Sequence, residues 1–327
     1  MRAALLNGPG RPLHVTDVPR PVPAAGEMLV RLEASGVCHT DVHVWLGHNQ
    51  PATPPDPFIL GHEGVGHVAE VGAGVDGWQM GDRVGVPWMH DTCGRCDLCL
   101  SGNETFCIRQ RAHGFDVPGT FAEFVVVKAA YAVRLPEGDA VALAPLLCAG
   151  LTAHGALDRG ALSHGETCAV FGCGGLGLYA VQLAKRRGAR VVALDLDPAK
   201  QELARRMGAD VAAASWPENE AAHLTINFAP TPHTWRGMQA ATRPLGRIVA
   251  AAMVAEPVPL SQEWLTWTGI TLTGTSVGTR AQMAGLMAEH AKQPLRATIQ
   301  EIGLEDVTQA LKALDDGKAQ GRFCIRF

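Results

Sequence analysis

The 327-residue sequence has no dominant sign of charge. Its 28 Lys and Arg against 32 Asp and Glu give a net charge of −4, which leaves no electrostatic case for nucleic acid. It has no internal repeat and no low-complexity segment. Its 37 glycines and 21 prolines follow no fixed period, which excludes a collagen-like chain. No stretch reads as a membrane span. Residues 140–157 and 167–184 each carry no charge, but the first holds Pro145 and His154, and the second Gly172, Gly174, Gly175 and Gly177. Both are expected to be buried segments of a folded domain. Residues 1–10 lack a long apolar core followed by a cleavage site, so the expected location is cytoplasmic. What is present is 47% apolar and 18% charged residues, enough for a sizeable core. At roughly 150 residues per domain the length suggests two domains.

The texture changes along the chain. Up to about residue 149 it reads as short strands and turns, with β-rich runs at 29–32, 65–71, 83–86 and 121–127. From 167 it alternates strand and helix. The strand 167–171 leads to a helix over 176–187, stopped by Gly188, and then the strand 190–194. Asp197-Pro198 gives an N-cap with proline at the first helical position, and Gly208 ends that helix. Strands at 210–214, 224–228, 247–253 and 270–276 continue the rhythm, which implies a doubly wound parallel sheet. Helices follow at about 280–292 and 304–315, and residues 322–327 close as a strand that rejoins the first domain. The expected division is 1–149 with 277–327, and 150–276.

Nine cysteines, an odd count, argue against a disulfide framework. Cys93-x2-Cys96-x2-Cys99-x7-Cys107 puts four thiols within fifteen residues, with Gly94 and Gly102 supplying turns. Four soft ligands on short loops suit a closed tetrahedral zinc site that fastens a lobe with little core. An iron–sulfur cluster uses similar cysteines and stays open as the alternative.

A second constellation is Gly61-His62-Glu63-Gly64-Val65-Gly66, followed by Gly72. Cys38-His39-Thr40-Asp41-Val42-His43 lies upstream and Cys148-Ala149-Gly150-Leu151-Thr152 downstream. With these motifs in this order, the sequence resembles the zinc-dependent alcohol dehydrogenases of the medium-chain dehydrogenase/reductase family over nearly its whole length. The resemblance implies a GroES-like β-rich catalytic domain plus a Rossmann cofactor domain. It makes Cys38, His62 and Cys148 the ligands of a catalytic zinc whose fourth position stays open, a plausible donor set by its chemistry. Glu63 lies close behind that metal as a support or an exchanging ligand, and Asp41 holds the other nitrogen of His62. Thr40 takes the hydroxyl proton of the alcohol, which passes through the nicotinamide ribose to His43. His39 contacts cofactor phosphate, Arg322 and Arg280 bind the pyrophosphate, and Thr152 packs behind the nicotinamide. Trp45 and Trp88 align with pocket positions that narrow the cleft toward short primary alcohols.

Gly172-Cys173-Gly174-Gly175-Leu176-Gly177 follows a strand and opens a helix, with Asp195 18 residues after Gly177 at the end of the next strand. In that context the motif is a dinucleotide fingerprint whose backbone approaches a pyrophosphate at the helix N-terminus. Asp195 accepts from both adenosine ribose hydroxyls and opposes a 2′-phosphate, which favours NAD over NADP.

The expected activity is hydride transfer between an alcohol or aldehyde and NAD, with two zinc ions per chain, in a homo-oligomer, dimer or tetramer. A polyol dehydrogenase is the nearest rival, and Cys148 speaks against it, since those enzymes often carry a carboxylate there. A zinc-stabilised binding protein without turnover is the rival of another class. It is motivated by residues 215–223, where nine residues, with Pro217 near their start, separate the third and fourth strands of the cofactor domain. A parallel crossover normally takes a dozen or more. Nine extended residues reach about 30 Å, enough to pass two strands with little left for helix. An extended segment or one or two turns is expected, with one sheet face thinly covered unless a neighbouring subunit or residues 264–267 cover it.

Overall fold

The computed structural model describes residues 1–48 and 57–327. The chain divides into two units. One comprises Met1–Cys148, Thr279–Pro294 and Thr298–Phe327; the other comprises Ala149–Gly278 and Leu295–Ala297. Among the described residues no single helix is long and apolar enough to cross a membrane. Residues 140–157 are mostly buried in the fold.

The first unit is built on the strand Glu27–Val37, whose eleven residues serve three neighbours. Its first half pairs antiparallel with Phe124–Lys128, most of its length with Gly64–Val71, and its end with Arg322–Arg326. Met28, Val30 and Leu32 fall on one face, as a period of two requires. They meet Val68, Val84, Val86, Val125 and Val127 in one apolar cluster. The C-terminal strand also pairs parallel with Ile299–Ile302, a strand the sequence pattern did not reveal. This pairing carries Arg322, at the start of the last strand, into the interior near Glu63. The helix His39–Trp45, directly after the central strand, is a second unpredicted element. Seven residues are too few for a helical period to register. The Asp41 carboxylate starts it by accepting the Cys38 N–H at 2.8 Å.

The second unit holds a six-stranded parallel sheet. In spatial order its strands are Val211–Ala213, Arg190–Leu194, Thr167–Phe171, Ala222–Asn227, Thr242–Ala250 and Thr271–Gly274. Numbered along this unit, the order is 3-2-1-4-5-6, the doubly wound arrangement that binds dinucleotides where the order reverses. Asp197 caps the helix Pro198–Arg206 by accepting the Ala199 N–H at 2.8 Å.

The crossover from third to fourth strand contains no helix. It makes one turn, closed by the Glu220 N–H on the Pro217 carbonyl at 3.2 Å. Trp216 folds over the gap, its indole donating to the Glu220 carbonyl at 2.9 Å. Trp216, Trp264 and Leu265 pack against the cluster of Phe171, Val192, Leu194, Trp235 and Met238. Part of the tryptophan-rich stretch therefore covers the sheet face that the missing helix leaves open, whereas Trp267 is 81% exposed.

Candidate metal and cofactor site

Three chain segments bring the first metal cluster together, all within the first unit. Cys38 ends the central strand and caps the short helix. His62 and Glu63 lead into the strand Gly64–Val71, and Cys148 closes the unit's first stretch of chain. One donor atom from each of Cys38, His62, Glu63 and Cys148 lies within 4.8 Å of the others. All four side chains are buried, with His62 and Glu63 fully so.

Asp41 ties this cluster. Its Oδ2 accepts the Cys38 N–H and its Oδ1 accepts the Gly61 N–H at 3.1 Å. Oδ1 also lies 3.1 Å from His62 Nδ1, close enough to orient the ring though off the line of a good hydrogen bond. His62 Nε2 is buried with no hydrogen-bond partner among the described residues. A buried imidazole nitrogen without a partner, beside two thiols 3.9 Å apart, is what a metal would complete. The Cys148 thiol that bonds to it holds Cys38 well below the ordinary thiol range, with His62 adding to the effect against burial. The same contact pushes Cys148 up.

Behind the cluster, both Glu63 oxygens accept from the Arg322 guanidinium. Burial pushes the Glu63 carboxyl up and Arg322 pulls it back. Against the cost of its own burial, Arg322 is held above its usual value by Glu63 and the two thiols. We treat the pair as ionic, because a guanidinium bound through two hydrogen bonds favours the carboxylate form. Arg322 Nε is buried with no hydrogen-bond partner among the described residues.

The second cluster is Cys93, Cys96, Cys99 and Cys107. Zinc–sulfur bonds of about 2.3 Å in a tetrahedron place the sulfurs about 3.8 Å apart. The sulfur separations here are 3.9 Å (Cys93–Cys99), 3.5 Å (Cys96–Cys99), 3.8 Å (Cys96–Cys107) and 3.6 Å (Cys93–Cys107). The donor set fits a closed zinc site.

In the second unit the fingerprint turn lies between the strand Thr167–Phe171 and the helix Gly177–Arg186. Gly177 must be glycine, since a Cβ there would fall 1.8 Å from the Gly172 carbonyl oxygen. Gly174, Gly175 and Leu176 lie in the same turn, all incompletely buried. Asp195 is pre-oriented, its carboxylate accepting the Cys173 N–H at 2.8 Å and the Asp197 N–H at 3.0 Å. Thr152 is buried in the helix Ala149–Arg159.

The other expected site residues divide. Thr40 Oγ1 lies 3.8 Å from Cys38 Sγ. The His39 and His43 rings, one helical turn apart, meet edge to face at 5.2 Å. Burial, then His39 and His48, lower His43. Trp88 meets the His62 ring edge-on at 5.0 Å. Two of the expected residues, Trp45 and Arg280, carry structural contacts of their own. Trp45 is a core residue, 4% exposed, packed with Val42, Leu60 and Phe121 and donating its indole N–H to the Arg11 carbonyl. Its side chain is held by core packing. The Arg280 guanidinium is also engaged elsewhere. It lies 3.5 Å from the buried Glu104, donates to the Ala130 carbonyl and stacks 4.7 Å over Tyr131. It clamps the cysteine lobe to the helix Arg280–Lys292. Phe115, 5.7 Å from Trp88, was missed, because an aromatic in a Gly- and Pro-rich loop carries no spacing signal.

The sequence profile of the Alcohol dehydrogenase GroES-like domain matches residues 24–137, and that of the Zinc-binding dehydrogenase matches residues 175–292. An alcohol dehydrogenase of Geobacillus stearothermophilus is 37% identical over 336 residues, covering 100% of this chain and 99% of its own. One from Moraxella sp. (strain TAE123) is 36% identical over 337 residues, with the same coverage. The chain belongs to the zinc-dependent alcohol dehydrogenases of the medium-chain dehydrogenase/reductase family. Membership makes it an oxidoreductase that uses zinc and NAD. Among solved structures, a thermostable alcohol dehydrogenase from Pyrobaculum aerophilum superposes with a TM-score of 0.92 at 31% identity, covering 100% of this chain and 99% of that one. An NAD-dependent alcohol dehydrogenase gives a TM-score of 0.93 at 27% identity, with both chains fully covered.

Proposed function

We propose that this family member interconverts short-chain primary alcohols and aldehydes with NAD(H). The observation that carries the proposal is the buried meeting of Cys38, Cys148 and a partnerless His62 nitrogen. When bound, zinc polarises the substrate oxygen and NAD accepts the hydride. Cys38, His62 and Cys148 would hold the metal. Asp41 fixes the orientation of His62. Thr40 takes the hydroxyl proton, and His43, half-buried on the next helical turn, returns it to solvent. Glu63 and Arg322 would hold compensating charge behind the metal, and Arg322 and His39 would contact the cofactor phosphates. Gly172, Gly174, Gly175, Leu176 and Gly177 would hold the pyrophosphate, Asp195 the adenosine ribose and Thr152 the nicotinamide. Trp88 and Phe115 narrow the cleft, which favours primary alcohols with short chains.

The test is a panel of linear, branched and aromatic alcohols and aldehydes with NAD(H) and NADP(H), followed by absorbance of the reduced nicotinamide. Ethanol to butanol with NAD should give the highest kcat/KM. Preference for polyols or for NADP contradicts the proposal.

The cytoplasm suits the protein, because six of its nine cysteines lie in thiol clusters that disulfide formation would destroy. A homo-oligomer is supported by one end of the parallel sheet. There the strand Thr271–Gly274 is an edge, and Leu245, Met253, Leu260, Trp267 and Leu272 are exposed nearby in sequence. Light scattering should give a multiple of the 34.6 kDa chain mass, and a monomer overturns this part.

A further inference from the structure

Gln110 belongs to neither metal cluster, yet it joins them. It follows Cys107 by three residues, and its N–H donates to the Cys107 carbonyl at 2.9 Å. In the amide orientation that satisfies both ends of the side chain, Nε2 donates to the Thr105 carbonyl at 3.1 Å. Oε1 then accepts the indole N–H of Trp88 at 3.2 Å. Gln110 is thus bound twice to the segment that carries the fourth cysteine, and it presents one acceptor outward.

Trp88 is the recipient. Its ring lies edge-on to His62 at 87° and tilts at 49° to Phe115. Its carbonyl accepts the His113 N–H at 2.9 Å, so the backbone is fixed as well. Ring contacts alone restrain an indole weakly, because the torsion that turns the ring is broad. The hydrogen bond to Gln110 selects which edge of the indole faces His62.

We propose that Gln110 is a positioning residue for substrate selectivity. It holds Trp88 from the cysteine lobe, so the intactness of that lobe sets the width of the cleft beside His62. The proposal rests on the reading of Trp88 as a cleft wall.

Gln110→Met keeps the length of the side chain and removes the acceptor. The ratio of kcat/KM for ethanol to that for benzyl alcohol should fall about tenfold, the scale at which pocket shape discriminates. Zinc content should stay at wild-type level. The ultraviolet resonance Raman band that reports indole N–H bonding should shift. In a Trp88→Phe background, Gln110→Met should change the ratio less than about twofold, because residues acting through one contact are not additive. Gln110→Leu removes the same acceptor, which preserves the test if the methionine variant does not fold. An unchanged ratio in Gln110→Met or Gln110→Leu, or full additivity with Trp88→Phe, overturns the proposal. If Trp88→Ala itself leaves the ratio unchanged, the cleft-wall reading has failed instead, and this inference with it.

Discussion

Arg322 and Glu63 stand 259 residues apart in sequence and form a doubly hydrogen-bonded pair that water does not reach, their side chains 4% and 0% exposed. Gly36 makes room for it, since a Cβ there would fall 1.9 Å from Glu63 Oε2. The pair fastens the last strand of the chain to the segment that carries His62.

Breaking this pair from one side leaves an uncompensated buried charge. Arg322→Met should therefore lower stability by about 3–5 kcal/mol. Adding Glu63→Gln should recover at least half of that loss, because no buried charge then remains. Urea midpoints of the single and double variants decide it. A single variant within about 1 kcal/mol of wild type contradicts the pairing.

His113 is fully buried, its Nδ1 2.8 Å from the Pro87 carbonyl, and desolvation followed by the neighbouring His90 lowers its pKa to about 3. The folded state keeps this imidazole neutral, while the unfolded chain protonates it near 6.5. Its contribution to stability is therefore complete above pH 6.5 and shrinks as pH falls toward 3, by up to about 1.4 kcal/mol per pH unit. His113→Asn should make the acid limb of stability shallower between pH 6 and 4. Parallel limbs in wild type and variant, from urea midpoints across that range, contradict the assignment.

Asp195 is already held by two backbone N–H groups, so its carboxylate is ordered before cofactor arrives. Asp195→Ala should weaken NAD binding by roughly 1.5–3 kcal/mol, the scale of a hydrogen bond to a charged group. It should also relax discrimination against NADP. Titration by reduced-nicotinamide fluorescence measures both. Equal affinity of the wild type for the two cofactors contradicts the role given to Asp195.

The sheet of the cofactor unit was legible in the sequence because strand, turn and helix alternate with their own punctuation, from Thr167 to the Asp197 cap. The absent crossover helix was legible from chain length alone, since nine residues cannot both cross two strands and wind several turns. The four-cysteine cluster was legible because thiols at such short spacings have few other uses, whereas Cys38, His62 and Cys148 lie far apart in the chain and were joined only through the resemblance to a known family. What spacing does not carry is the fate of a side chain in tertiary packing. Trp45 reads the same in sequence whether it lines a cleft or, as found, donates to the Arg11 carbonyl inside the core. That Arg280 pairs with the buried Glu104, 176 residues earlier, was equally invisible in the sequence. Gln110 and Phe115 gained their positions from loops folding onto Trp88, which no local pattern encodes.

The central claim is that two zinc sites of unequal role share the first unit, one closed by four cysteines and one completed by Cys38, His62 and Cys148. Zinc per chain, measured by elemental analysis beside thermal unfolding and turnover, tests it for wild type, Cys96→Ser and Cys148→Ser. The account predicts two zinc ions in wild type. Cys148→Ser should be a folded, inactive protein with the closed site still filled, and Cys96→Ser should lose the fold of the lobe, because a structural metal contributes folding free energy directly. One zinc ion per wild-type chain, or a Cys148→Ser protein with normal turnover, would contradict it.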